Sequence, residues 1–211
     1  MKARNAALAF EQAHAEFENA WRKPKHTAIE LAPVNVNKVL SERYITDKPI
    51  RLTGSLLWDM ERKKAWSPDL YIPYVASSAR SWGRSPEIDG FEKFQRTSMQ
   101  KGWAVPQEGQ INEDVYIDNN HRRVLFLGRE YLETDQGEQI TASKFQPLFH
   151  VEHAVGGTED EPTNLWRIVV LSEAYAPEIA ETFVKMVAAG WLPGFLEIYI
   201  QRDLGVSLKR R

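Results

Sequence analysis

Between residues 91 and 171 the chain alternates polar and apolar residues in short runs, and the turns between those runs are brief. Segments 91–97, 113–118, 123–132, 139–155 and 164–171 read as strands. Asp118-Asn119-Asn120-His121 and Thr134-Asp135-Gln136-Gly137 have the polar and glycine residues of tight turns, and 156–162 links the last pair. A parallel pair needs a crossover of about a dozen residues or more. Connections this short therefore dictate an antiparallel meander.

Helical periodicity flanks the meander. Phe10, Ala13, Phe17, Ala20 and Trp21 form one stripe, and Pro24 ends the run, so residues 1–23 are expected to be a helix. That stripe packs on the domain or on a second copy of the chain, which makes it the candidate homo-oligomer contact. Residues 35–44 read as a short helix and 50–53 as a short strand. A helix follows with Leu56, Leu57 and Met60 on one side and Glu61, Lys63 and Lys64 opposite. Both lysines are expected on a solvated face. Ser67-Pro68-Asp69 starts another helical turn carrying Tyr71, Ile72, Tyr74 and Val75. Residues 76–90, rich in Ser, Gly, Arg and Pro, read as a loop. Residues 177–203 read as one terminal helix, kinked near Gly190 and Pro193, and Lys209-Arg210-Arg211 as a frayed basic end. No linker divides the chain, so 1–211 is expected to be one domain with a core over 48–203.

This order resembles the helix-grip fold of the START and Bet v 1-like superfamily. There a strand, two short helices, several strands and a long helix follow one another, and the helix lies across a curved sheet. The matching parts are 50–75 for the first strand and helix pair, 91–171 for the sheet and 177–203 for the gripping helix. The N-terminal helix is an addition to that pattern. An initial helix before a curved sheet is also similar to the nuclear-transport-factor-2-like cone, which is the alternative. The resemblance implies an α+β fold whose strongly curved antiparallel sheet and helices close an apolar cavity. Both families include cofactor-free cyclases, dehydratases and lyases as well as plain binding proteins, so fold alone does not assign activity.

Composition narrows the chemistry. The chain has no cysteine, which removes thiol nucleophiles and thiolate zinc sites. With 27 Lys+Arg against 29 Asp+Glu, it lacks the basic excess of a nucleic-acid binder. The longest apolar run, 186–196, contains Gly190, Pro193 and Gly194 and is well short of the roughly 20 residues of a membrane span. The expected address is the cytoplasm, with no membrane partner. No dinucleotide fingerprint, P-loop, zinc-protease motif or Gly-x-Ser-x-Gly elbow occurs, so no cofactor is expected.

The candidate chemical groups lie in the strands. In His150-Val151-Glu152-His153, strand alternation sends the two histidines to opposite faces, which argues against a shared metal ion. His153 shares a face with Phe149 and Val151 and is expected to point inward as a general base. His150 with Glu152 is the competing pair, the carboxylate fixing the imidazole tautomer. A core histidine with its hydrogen bonds met explains either position without chemistry. Arg129 and Arg167 share strand faces with Leu and Val residues and need a carboxylate partner, on a ligand or in the protein. Tyr131 is a candidate acid. Tyr71, Tyr74 and Tyr116 are candidate hydrogen-bond donors, and Trp82 and Trp103 candidate stacking platforms. The aromatic supply of seven Trp, seven Tyr and nine Phe would line the cavity. The expected function is a cofactor-independent enzyme acting on a bulky phenolic or polyketide-like molecule. Its reactions would be elimination, carbon–carbon lysis, dehydration or cyclisation. The alternative is a hydrophobic-ligand binding or transfer protein without chemistry.

Overall fold

The computed structural model describes residues 2–103, 105–172 and 177–211. In chain order the elements are α1 (Lys2–Arg22), β1 (Thr27–Glu30), β2 (Val34–Asn35), α2 (Val36–Arg43), β3 (Tyr44–Thr46), α3 (Gly54–Trp66) and α4 (Pro68–Tyr71). Then come β4 (Ala76–Trp82), β5 (Phe91–Lys101), β6 (Glu108–Asp118), β7 (Arg123–Arg129), β8 (Tyr131–Glu133) and β9 (Gln139–Thr141). The last are β10 (Phe149–Gly157), β11 (Pro162–Val170), α5 (Pro177–Ala188), α6 (Gly194–Arg202) and β12 (Leu208–Arg210).

The main sheet is antiparallel and runs β1-β11-β10-β7-β6-β5-β4, with β2 also on β11. The expected meander is present. Asp118 turns the chain between β6 and β7 by accepting the backbone N–H groups of Asn120 and His121 at 2.9 and 3.2 Å. The first strand differs from expectation. Residues 50–53 are irregular, and the Thr53 side chain caps α3 by accepting the Leu56 N–H at 3.1 Å. The strand in that role is Thr27–Glu30, paired with β11 in the register Thr27↔Val170. A four-residue strand whose partner lies at the far end of the chain leaves little local pattern. The stretch expected as a loop, 76–90, begins with the edge strand β4, paired along β5. The expected strand 139–155 is divided: β9 forms a separate hairpin with β8, and β10 joins the main sheet. The terminal helix is also two. Gly190, at φ +70°, stops α5, and Pro193 caps α6. The basic end is ordered as β12 on β3.

Helices cover both faces of the sheet. On one face, α1 sets Phe10, Ala13, Phe17 and Ala20 against Leu125, Leu127 and Val169. The stripe offered to a second copy is thus spent within the chain. On the other face, the larger core joins Val115, Phe126 and Ile168 of the sheet to Leu57 and Met60 of α3 and Leu196 of α6. Among the described residues no helix is long and apolar enough to cross a membrane.

Candidate functional site

Strand alternation decides which side chains meet the cavity. In β10, Phe149, Val151 and His153 face the larger core, while His150 and Glu152 face α1. On the core side the sheet, the segment after α4, α5 and α6 enclose a cavity of about 160 Å³. Its wall is largely aromatic and includes Trp103, Phe126, Phe149, Trp166, Phe183 and Phe195.

The polar end of this cavity is built from α3 and β10. Leu57, Met60, Glu61 and Lys64 recur at the spacing of one helix face, and all four are buried. Glu61 and Lys64 therefore enter the core together. Lys64 Nζ donates to Glu61 Oε2 at 2.6 Å and to His153 Nδ1 at 2.7 Å. It also lies 3.8 Å from the centre of the Phe195 ring. His153 Nδ1 is 3.1 Å from Glu61 Oε2. Asn164 of β11 donates to the other Glu61 oxygen at 2.8 Å. A second ion pair stands beside the first. Arg96 of β5 and Glu113 of β6 are cross-strand partners joined at 2.6 Å, and Arg96 also donates to the Ala65 carbonyl at 2.8 Å.

Burial sets the electrostatics. Loss of water pulls the Lys64 ammonium down to about 8, with Glu61 opposing the shift and Arg96 adding to it. Burial and the adjacent Lys64 charge lower His153, so its imidazole is neutral at pH 7. For Glu61, burial pushes upward, but Lys64 and His153 outweigh it and keep the carboxylate ionised. The resting cluster is an ammonium held between a carboxylate and a neutral imidazole. The Trp166 indole N–H, in the same wall, is buried without a partner. An unmet donor of this kind costs about 1–3 kcal/mol.

The structure brings His153, Trp103 and Tyr74 to this cavity. Trp103 packs on Phe149 with ring centres 4.0 Å apart. Tyr74 presses on the backbone of Gly194, where an added Cβ would sit 2.7 Å from the ring. The tyrosine is 46% exposed, but desolvation of its hydroxyl pushes the phenol up to about 12.

The other candidates lie elsewhere. His150 accepts the Gly128 N–H at 3.1 Å and faces Glu16 of α1 at 3.5 Å. Glu152 joins Arg123 and Arg167, the second at 2.8 Å. Arg167 also meets Glu18, and Arg129 bridges Glu16 and Asp114. Both arginines thus find carboxylates within the protein, on the α1 face. Tyr116 packs on that face too. Tyr131 is 59% exposed on β8. Tyr71 donates to Asp203, and the Trp82 indole donates to the Glu133 carbonyl at 3.3 Å.

Sequence reasoning missed Glu61, Lys64, Arg96, Glu113 and Trp166. The expectation of a solvated Lys64 is overturned: it is 3% exposed. Lys63, one residue earlier, does stand outward, against Asp59 and Asp203. The seven-residue step from Leu57 to Lys64 was the available signal, since it returns to the same helix face. The Arg96–Glu113 pair depends on strand register and left no such trace.

Neither a family model nor a curated protein matches the sequence. Solved structures do resemble it. One is the Zhui aromatase/cyclase from Streptomyces sp. R1128, with TM-score 0.49 and 12% identity over 85% of this chain and 98% of that one. Another is Ara h 8.0201, with TM-score 0.47 and 10% identity over 82% and 95%. A START superfamily protein from Mycobacterium smegmatis gives TM-score 0.40 and 10% identity over 77% and 98%. The topology stands on its own: β1 pairs with the last strand of the sheet, the α3–α4 pair precedes the meander, and the terminal helices close the cavity. The architecture is a helix grip.

Proposed function

We propose that this chain is a cofactor-independent acid–base enzyme acting on an aromatic small molecule that carries a carbonyl or phenol. The observation behind this reading is the buried Lys64–Glu61–His153 cluster at the end of an aromatic cavity. Folding alone favours an apolar core over a buried ion pair. Perturbed titratable groups facing a cavity are the usual mark of a working site. With Lys64 turned to the substrate oxygen and the imidazole proton on Nδ1, donating to Glu61 Oε2, His153 would take a proton α to the carbonyl through Nε2. Lys64 and the Trp166 N–H would stabilise the oxyanion that develops. Elimination, carbon–carbon lysis and ring closure all share this first step.

Size bears on the substrate. A cavity of about 150 Å³ is known to accommodate benzene. At about 160 Å³ the inner cavity therefore admits one ring. A recess of about 770 Å³ shares Tyr74, Trp166, Met186 and Phe195 with it. A bulky polyketide-like substrate would place its reacting ring inside and the remainder in that recess.

Exchange of α-protons for deuterium, followed by NMR on acetophenone and hydroxyacetophenones, tests the reading without knowledge of the final product. The expected result is exchange at least about a hundredfold above buffer. Binding of these ketones, seen as tryptophan quenching, without exchange of any of them would favour the non-catalytic carrier.

A further inference from the structure

Among the described residues the charges around the cavity cancel. Two cations there, Lys64 and Arg96, face two carboxylates, Glu61 and Glu113, and each cation is already paired. A charged ligand would enter an apolar cavity with no opposite charge left to meet it. The cavity therefore selects a neutral ligand. What it offers such a ligand is the unmet Trp166 N–H, the imidazole of His153 and the Lys64 amine. We propose that Lys64 captures neutral aryl aldehydes and ketones covalently, as an imine, at the polar end of this cavity. The proposal rests on the acid–base reading above and deepens it by naming the nucleophile and the substrate class.

The geometry supplies the steps. In the resting cluster the three N–H directions of Lys64 are taken by Glu61, His153 and the Phe195 ring. Transfer of one proton from Nζ to His153 Nδ1, across 2.7 Å, leaves a neutral amine with a free lone pair. The new imidazolium then faces Glu61 Oε2 at 3.1 Å, so the cluster keeps its net charge. The amine attacks the carbonyl carbon, forming a C–N bond while the carbonyl oxygen takes a proton from His153. Loss of one of the two protons left on nitrogen to the imidazole gives a neutral carbinolamine. Return of a proton from His153 to its hydroxyl breaks the C–O bond, and water leaves. The product is an iminium whose positive charge replaces the ammonium beside Glu61. In sum, an amine and a carbonyl give an imine and water, with no oxidant or reductant consumed.

The groups facing Nζ act on its protonation from every side. Glu61 on its own helix favours the ammonium. Arg96 of β5 opposes it, Glu113 of β6 neutralises Arg96, and burial beneath α6 opposes it most. A lysine titrating near 8 holds on the order of a hundredfold more free amine at pH 7 than an ordinary one. Lys63, exposed on the same helix, is the built-in comparator.

The test is reductive trapping on the full chain at pH 7 with benzaldehyde and cyanoborohydride, read by peptide mass mapping. The expected result is one benzyl group per chain on Lys64, arriving on the order of a hundredfold faster than on Lys63. The charge-balanced double variant Glu61→Gln with Lys64→Met is expected to fold and to lose that label. Lys64 left unmodified, or labelled no faster than Lys63, overturns the proposal. The wild-type map decides this even where a variant fails to fold. Proton exchange without trapping would sink the imine and spare the acid–base reading. Trapping without exchange would do the reverse.

Discussion

The two faces of the sheet carry comparable ion clusters, each with a histidine of β10, yet they differ in what surrounds them. On the α1 face, Glu152 and Glu16 meet Arg123, Arg167 and Arg129. Those guanidiniums stay about a quarter exposed and keep part of their hydration. Their partners come from the helix they help to seat. On the cavity face, Lys64 and Glu61 are almost wholly dry, and the space beside them is open. The first cluster fastens a helix to a sheet. The second fastens nothing that an apolar residue would not hold as well. On the proposed reading, the same residue types serve attachment where water reaches them and chemistry where it does not.

The largest effect should separate the clusters by stability. Glu61→Gln leaves the Lys64 charge buried without its carboxylate, and breaking such a pair costs about 3–5 kcal/mol. Glu152→Gln leaves two arginines that can turn to water, so a loss of about 1–3 kcal/mol is expected. Urea unfolding of both variants measures the gap. Equal losses would mean that the cavity cluster is no drier than the other. Phe17→Ala should cost about 3 kcal/mol, because this fully buried ring anchors α1. Ketone binding in the cavity should survive that loss, as titrated by tryptophan quenching in the absence of urea. Loss of binding would show that α1 shapes the cavity.

Acid should sharpen the contrast next. His153 has a folded pKa of about 4, below the ordinary 6.5. Between those values the unfolded chain binds the extra proton, so stability rises with pH and is lost as pH falls through the window. The expected loss from pH 6.5 to 4 is about 3 kcal/mol, and His153→Gln should remove it. On the other face His14 is lowered in the same direction by partial burial, so His14→Gln should remove less. Unfolding free energies at several pH values decide between them. The smallest effect belongs to the outermost pair. Arg22 is 74% exposed where it meets Glu18, so Arg22→Ala should change stability by less than about 0.5 kcal/mol.

The parts of this comparison were unevenly legible in the sequence. The stripe of α1, the helix pair and the strands of the meander follow from local periodicity, and the period of two places His153 on the face of Phe149 and Val151, apart from His150 and Glu152. What failed is non-local. Thr27–Glu30 becomes a strand only because β11 offers it an edge. Strand alternation requires carboxylates for Arg129 and Arg167 without saying which, and α1 supplies Glu16 and Glu18 from far along the chain. Lys64 is legible by position, because it lies on the Leu57–Met60 face of α3, while its charge alone points to solvent. A charged residue on an apolar helix stripe is the sign of a buried group with a partner, and here the partner sits three residues earlier.

The central claim is that the dry cluster works and the wet one holds. Deuterium exchange into hydroxyacetophenone, compared for His153→Gln and His150→Gln, tests it most directly. The account predicts a loss of about a hundredfold or more for His153→Gln and a rate within a few-fold of wild type for His150→Gln. Full exchange in His153→Gln, or a collapse confined to His150→Gln, would contradict it.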